Sequence, residues 1–187
     1  MLKLHIKNMV CNRCIMVVKS ELEKFGLHTI SVELGKIEIA EDLSKEKIVD
    51  LNRKLLNLGF LIIDDKKSQI VEKVKNLIVE LVHFKDNRFT TNLSDYIVAA
   101  IGHDYSYISN LFSTQESNTI EHYYILQKIE RVKELLVYDE LSLNEIAFQL
   151  NYSSASHLSK QFKKVTAMTP TFFKNSEEQK RLSLENL

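Results

Sequence analysis

The sequence has few of the residues that interrupt helices and strands, with four glycines and one proline among 187 residues. It also has only two cysteines and no tryptophan. So little glycine and proline excludes a linker-rich or disordered chain and favours compact domains built mostly from helices and strands. Two cysteines are too few for the disulfide scaffold of a small secreted protein. Their close spacing instead indicates thiol chemistry in a reducing compartment, and we expect a cytoplasmic protein.

Net charge and long apolar runs are absent as well. Lys and Arg together number 25 and Asp and Glu number 25, so the formal net charge is zero and any nucleic-acid surface must be local. No apolar run approaches the roughly 18 residues needed to span a bilayer. The alternating start MLKLHIKN does not have the pattern of a secretory signal peptide. We therefore expect neither a membrane segment nor a leader.

The N-terminal third of the chain switches repeatedly between the periodicities of strands and helices. Apolar residues alternate over Leu2–Ile6, recur at helical spacing from about Ile15 to Phe25, and alternate again on both sides of Gly35. A second helical stripe runs from Ser44 to Gly59, and residues 60–63 form a last strand. The order strand, helix, strand, strand, helix, strand predicts a ferredoxin-like βαββαβ domain.

The run Asp64-Asp65-Lys66-Lys67 marks the predicted boundary between two domains, residues 1–65 and residues 66–187. Every periodic segment after it is helical, so the predicted fold class is α+β with two domains. The apolar stripe from Ser68 to about Lys85 is interpreted as the opening core helix of the second domain. A dimer seam along the same stripe is the alternative.

The segment from Ser142 to Lys174 indicates two short helices, at about residues 142–165, joined by a tight turn. Ser142 and Glu145 form a capping box, Asn151 suits a left-handed turn, and Ser153 can cap the second helix. The segment holds four lysines and one glutamate, a local charge of +3 that suits contact with phosphates. The candidate DNA contacts on the outer side of the second helix are Ser153, Ser154, Ser156, His157, Lys160 and Lys164, with Lys163 beside them.

A similar helical pair is predicted at about residues 93–115, and a helix at about residues 120–137 connects the two pairs. The candidate contacts in the first pair are Tyr105, Ser106, Ser109 and Asn110. Asparagine can bond to adenine and serine to phosphate, but the second helix of this pair contains no Lys or Arg. We therefore expect the second pair to supply more of the affinity for double-stranded DNA.

Both helical pairs resemble the two helix-turn-helix units of the AraC/XylS family of transcriptional regulators. The second pair carries the resemblance through Glu145-Ile146-Ala147, the run from His157 to Lys164, and Thr169-Pro170. The first pair and the connecting helix carry it through Leu93, Ile97, the run from Tyr107 to Phe112, and Lys128-Ile129. The resemblance covers about residues 70–175. It implies an all-α DNA-binding domain, not an enzyme, that places two recognition helices in successive major-groove segments.

The two cysteines lie in Met9-Val10-Cys11-Asn12-Arg13-Cys14, between the first strand and the first helix. Two thiols on one loop suit a soft metal ion such as Cu(I), thiol-disulfide exchange, or half of a structural zinc site. Structural zinc usually needs four ligands, and the chain has no second cysteine pair. The redox alternative lacks the cis-proline of thioredoxin, because the only proline is Pro170 in the helical domain.

Residues 2–64 resemble the heavy-metal-associated domain of copper chaperones and metal-pumping ATPases. The resemblance depends on Met9-x-Cys11-x-x-Cys14, on the order of strands and helices, and on Leu58-Gly59-Phe60. It implies that Cys11 and Cys14 hold Cu(I) or another soft ion, with Zn, Ag, Cd and Hg left open. Asn8 stands where the usual motif has glycine, and Asn12-Arg13 stands where it has two small residues. We expect the charge of Arg13 to alter either the choice of metal or the choice of docking partner.

Together these patterns predict a DNA-binding transcriptional regulator that responds to a thiophilic metal. Two alternatives stay open. One is a metal-independent regulator whose N-terminal domain is a dimerisation or protein-interaction module, and the other is a thiol-disulfide redox protein. A homodimer that shares one ion through four thiolates is one version of the metal hypothesis.

Overall fold

The computed structural model describes residues 1–85, 91–176 and 184, and the chain divides into two compact units, Met1–Asn76 and Leu77–Leu187. The strands and helices of the described residues are β1 (Leu2–Lys7), α1 (Asn12–Lys24), β2 (Thr29–Glu33), β3 (Lys36–Ile39), α2 (Lys45–Leu56), β4 (Leu61–Ile63), α3 (Lys66–Val79), α4 (Leu93–Ile101), α5 (Tyr105–Glu116), α6 (Ile120–Tyr138), α7 (Leu143–Gln149), α8 (Ala155–Thr166) and α9 (Pro170–Asn175). A π-helical turn, Glu80–Phe84, directly follows α3. Among the described residues no helix is both long and apolar enough to cross a membrane.

The N-terminal unit contains an antiparallel sheet with strand order β2-β3-β1-β4 over the residues described. The element order is the predicted one. Glu33 pairs with Lys36 across a turn at Leu34-Gly35, and Gly35 has a φ of 75°, a left-handed conformation that glycine adopts readily. One face of the sheet packs on α1 and α2 through a core that includes Leu4, Ile6, Met9, Val18, Leu22, Ile37, Ile39, Leu51 and Leu55.

Helix α1 begins three residues earlier than the apolar spacing from Ile15 predicts. Cys11 is the residue that precedes its first turn, and Cys14 lies within that turn. The early start has a physical reason: Met9 and Val10, which follow the end of β1 at Lys7, are already buried, so the chain is held against the core up to Cys11. The two sulfurs therefore lie at the start of a helix, Cys11 at its N-cap and Cys14 in its first turn.

The predicted domain boundary between residues 65 and 66 stays a prediction, while the compact units divide between Asn76 and Leu77. The first part of α3 belongs to the N-terminal unit because its side chains contact the turns that adjoin the strands. Glu72 accepts a hydrogen bond from the backbone N–H of Asn8 at 2.8 Å. The side chain of Asn76 lies against Gly35.

The C-terminal unit is helical and is centred on α6. Phe112 of α5 meets Tyr123 of α6 with ring centroids 5.7 Å apart, and both rings are fully buried. Side-chain oxygens cap the starts of α4, α6, α7, α8 and α9, from Asn92, Thr119, Ser142, Ser154 and Thr169. Such caps satisfy free amides at the helix starts, which lets helices as short as the seven-residue α7 form at defined positions.

Several helices of this unit end in the left-handed conformation without glycine. Ser117, Asp139 and Ala167 end α5, α6 and α8 with φ of 52°, 56° and 61°. Asn151, after α7, has a φ of 55°, which agrees with the turn predicted for it. Asn and Asp tolerate this region through local hydrogen bonds, whereas the Cβ of alanine is strained in it.

We expect Ala167→Gly to stabilise the C-terminal unit by about 0.5–1 kcal/mol, since relief of the left-handed strain exceeds the entropy that glycine adds to the unfolded chain. Ala167 is exposed, so no packing is lost. Thermal unfolding followed by circular dichroism measures the change. Asn151→Gly is the matched control and should have a smaller effect, because asparagine already suits its turn. A lower melting temperature for Ala167→Gly than for the wild type would contradict the prediction.

Candidate nucleic-acid interface

Helix α8 is fixed at its start and along its inner side. The hydroxyl of Ser154 accepts a hydrogen bond from the backbone N–H of His157 at 3.1 Å, so Ser154, and not the predicted Ser153, is the capping residue. The reason is the length of the preceding turn, which brings Ser154 directly before the first helical residue. Leu158 and Phe162 are fully buried, and Phe162 meets Phe173 of α9 edge-on with centroids 5.6 Å apart.

This packing leaves one side of α8 facing solvent. The exposed residues of that side are Ser156, His157, Lys160, Lys163 and Lys164, as the helical spacing predicts. Within the part of the chain that the structure describes, none of these three lysines has an ion-pair partner. The surface is therefore a cationic stripe on an otherwise neutral chain, and no carboxylate among the described residues neutralises it.

His157 is held in a defined orientation at the start of this stripe. Its Nδ1 lies 3.0 Å from the hydroxyl of Ser153, and its ring meets the ring of Tyr152 at 89° with centroids 5.5 Å apart. Ser153 therefore positions the imidazole instead of capping the helix. Nε2, the other nitrogen of this exposed ring, has no hydrogen-bond partner among the described residues and can bond outward.

The turn between α7 and α8 is specified by local contacts. Ser142 and Glu145 make both hydrogen bonds of a capping box, at 2.7 Å and 3.3 Å. The N–H of Tyr152 donates to the carbonyl of Ala147 at 2.8 Å, which closes the turn at Asn151. The start of α8 is thereby fixed relative to α7, as a helix-turn-helix requires.

Lys128 of α6 lies under this turn. It is only 6% exposed, and its Nζ lies 3.6 Å from the centroid of the Tyr152 ring. Burial lowers the pKa of Lys128 to about 8, while the face of the Tyr152 ring favours the charged form. Sequence analysis identified Lys128 only as part of the connecting helix and gave no sign of this contact.

The candidate residues of α5 divide into exposed and engaged side chains. Ser106 and Asn110 are exposed and Ser109 is half-buried. The hydroxyl of Tyr105 donates to Glu121, and burial together with this bond raises the pKa of Tyr105. That hydroxyl is already used within the domain, so we leave Tyr105 out of the proposed interface.

Sequence reasoning missed two members of the outward side of α5, Tyr107 and Thr114. Tyr107 is 45% exposed and Thr114 is exposed. The signal was present, since Tyr107, Asn110 and Thr114 lie at helical spacing on one side. The sequence alone does not separate the two roles of Tyr107, because it also belongs to the run from Tyr107 to Phe112 that carries the resemblance to the AraC/XylS family.

The two cysteines form a compact pair in the N-terminal unit. Their sulfurs lie 3.3 Å apart, both residues are half-buried, and burial raises the pKa of the Cys14 thiol. Met9 is fully buried in the core beneath them. Among the described residues no group of three or more His, Cys, Asp or Glu side chains is arranged to hold a metal ion. The pair thus provides two sulfur ligands and no third.

The C-terminal unit matches a known protein family. Residues 97–176 match the family model described as "Helix-turn-helix domain". The C-terminal domain of AraT, a response regulator from Geobacillus stearothermophilus, has a similar structure, with a TM-score of 0.50 and 22% identity over 64% of this chain and 92% of that domain. Residues 97–176 therefore form a helix-turn-helix domain, and the fold is that of the AraT C-terminal domain.

Two sequence relatives each match about three fifths of the chain. A Staphylococcus aureus protein described as an HTH-type transcriptional regulator is 28% identical over 119 residues, which are 64% of this chain and 14% of the relative. A Pseudoalteromonas carrageenovora protein with a similar description is 26% identical over 115 residues, 60% of this chain and 67% of that protein. The chain thus matches about one seventh of the length of the first relative.

We expect stability to rise with pH between about 8 and 10 because of Lys128. Its folded pKa of about 8 lies below its usual 10.5, so in this window the unfolded chain binds more protons and deprotonation favours the folded state. The contribution is constant below pH 8. Above about pH 10 the raised pKa of Tyr152 acts in the opposite direction.

Urea unfolding at pH 7, 8, 9 and 10 measures this effect. The gain should be at most about 3 kcal/mol, since one pKa unit corresponds to about 1.4 kcal/mol. It should disappear in Lys128→Met and persist in Lys163→Met, whose lysine is exposed. The same rise in Lys128→Met would show that another group causes it.

Proposed function

We propose that this protein is a transcriptional regulator of the AraC/XylS type that binds double-stranded DNA sequence-selectively. The observation that carries the proposal is the exposed, unneutralised side of α8, with Ser156, His157, Lys160, Lys163 and Lys164 on a capped helix of a helix-turn-helix domain. A helix presented in this way has the shape and charge to enter the major groove.

The charge on this side of α8 suits the phosphate backbone of DNA. Because the net charge of the chain is zero, the chain as a whole does not attract a polyanion. Any attraction to DNA must therefore come from the lysines of α8. Lysines near phosphates release counterions and give affinity that falls with salt. Nε2 of His157 and the hydroxyl of Ser156 add exposed groups that can bond to base edges or phosphates.

The N-terminal unit is proposed to be a ferredoxin-like domain of the heavy-metal-associated type. Support comes from its βαββαβ order, its antiparallel strand order and the thiol pair at the start of α1. Two sulfurs 3.3 Å apart on one turn fit a soft ion of low coordination number such as Cu(I). They do not fit a closed four-ligand zinc site, because the described residues offer no third ligand.

The sensing hypothesis is that a soft ion at Cys11 and Cys14 changes the affinity for DNA. Such an effect requires that the ion bind the DNA-competent and incompetent states with different affinity. A metal-independent regulator, whose N-terminal unit serves as an interaction or dimerisation module, is the second candidate. The small ligand set favours it, since no third His, Cys, Asp or Glu among the described residues joins the two cysteines, and two ligands suit few ions besides Cu(I).

Lysine substitutions in α8 should reduce both the affinity for DNA and its salt dependence. We expect Lys160→Ala and Lys164→Ala each to lower the slope of log K against log salt by about 0.9, the value for one phosphate contact. Fluorescence anisotropy with a selected duplex measures the slope. Lys47→Ala in α2 is the control, since that lysine is exposed on the N-terminal unit. Equal losses of affinity and slope in Lys160→Ala and Asn110→Ala would contradict the greater role given to α8.

Metal binding is tested separately from DNA binding. Under anaerobic conditions one equivalent of Cu(I) should protect the wild-type thiols from alkylation, as measured by mass spectrometry. The same equivalent should change DNA affinity several-fold, and the change should vanish in the Cys11→Ser, Cys14→Ser protein. A response that persists in the double variant would place the sensor elsewhere. Thiol protection without any change in DNA affinity would favour the interaction module.

A further inference from the structure

The outward side of α5 differs in chemistry from that of α8. Its inner residues, Ile108 and Phe112, are fully buried, which turns the opposite side to solvent. The side chains on that side are Ser106, Tyr107, Asn110 and Thr114. All four are neutral, and α5 contains neither lysine nor arginine.

This composition restricts which bases α5 can recognise. Guanine is read most often by Arg or Lys bonded to O6 and N7, and α5 has neither residue. Asp104 directly precedes α5, is exposed and makes no capping hydrogen bond to the helix. Its free carboxylate would repel DNA phosphates near the N-terminus of α5. Asn110 has the side chain that pairs with N6 and N7 of adenine.

The hydroxyl of Thr114 is used inside the helix. It donates to the backbone carbonyl of Asn110 at 2.8 Å. The same hydroxyl also lies 3.4 Å from Oδ1 of Asn110. Because the hydroxyl is engaged in this way, we assign the methyl group of this exposed residue as the part that contacts DNA. A threonine methyl is suited to the C5-methyl group of thymine. Thr114 lies one helical turn after Asn110, so the two side chains can reach neighbouring base pairs.

We infer that α5 reads an A·T segment of the operator, with Asn110 on an adenine and the Thr114 methyl on a thymine methyl, while the lysines of α8 bind the other segment. The inference rests on the proposed DNA-binding function and specifies the base class that one of its two helices recognises. Recognition by α5 then depends on groups that carry no charge, and it should be nearly independent of salt.

The first test is selection of binding sites from a random DNA pool with the full chain, repeated with Asn110→Ala. The wild-type protein should enrich a site with two conserved segments, and the positions relaxed by Asn110→Ala should be A·T pairs. Single-base replacement of that adenine should lower wild-type affinity about five- to 100-fold, the range for one bidentate contact, and should have little effect on the variant. Gln115→Ala, at an exposed residue of α5 that is not among the candidate contacts, is the control for folding.

The second test isolates the methyl contact. Thr114→Ser keeps the hydroxyl bond to the Asn110 carbonyl and removes only the methyl group. Replacement of the contacted thymine by deoxyuridine removes the partner methyl from the DNA. We expect either change alone to lower affinity about three- to fivefold, and the two together to lower it no further, since a buried methyl contributes an amount of that order.

The outcomes separate this inference from the function it rests on. A selected site in which Asn110→Ala relaxes a G·C position, or in which Thr114→Ser and deoxyuridine act additively, overturns the A·T assignment and leaves the DNA-binding function intact. Failure of the wild-type chain to enrich any sequence overturns the proposed function itself. Relaxed A·T positions together with non-additive methyl losses support the inference.

Discussion

The burial of Leu158 and Phe162 determines which side of α8 meets solvent, and the candidate interface depends on that packing. Phe173 of α9 packs against Phe162 from within the domain, so the helix cannot rotate without exposing large apolar rings. The Ser154 cap fixes where the helix begins, and the left-handed Ala167 fixes where it ends. With rotation and length both set, the lysines of α8 occupy a defined stripe. A neutral chain can then present a cationic surface at one place.

The two helical pairs combine one architecture with two kinds of surface. Both second helices, α5 and α8, bury two large apolar residues and end in a left-handed residue. Their outward sides diverge, since α8 carries lysines there and the exposed outward residues of α5, Ser106, Tyr107, Asn110 and Thr114, are neutral. Lysines give affinity that depends on salt, and neutral contacts give base selectivity with little attraction at a distance. In this account the helices divide those two tasks between them.

Local rules predicted the parts of this structure that depend on neighbouring residues. The capping box at Ser142, the turn at Asn151 and the exposed lysines of α8 follow from spacing alone. Contacts between distant residues could not be predicted in this way. Glu121 accepts a hydrogen bond from the hydroxyl of Tyr105, sixteen residues earlier in the chain. The ring of Tyr152 lies against the ammonium of Lys128, which belongs to a different helix. The prediction of Ser153 as the cap is wrong for a related reason: both serines suit a helix start, and only the closed turn places Ser154 directly before the first helical residue. The response to metal and the DNA contacts themselves stay predictions.

The central claim is that this chain distinguishes one DNA sequence from others. The most direct test is the ratio of its affinities for a selected duplex and for a scrambled duplex of the same composition, measured at physiological salt under reducing conditions. The account predicts a ratio of about 10³ or more, as for other sequence-specific binders. A ratio near one would mean that the lysines of α8 attract DNA only as a polyanion, and it would contradict the account.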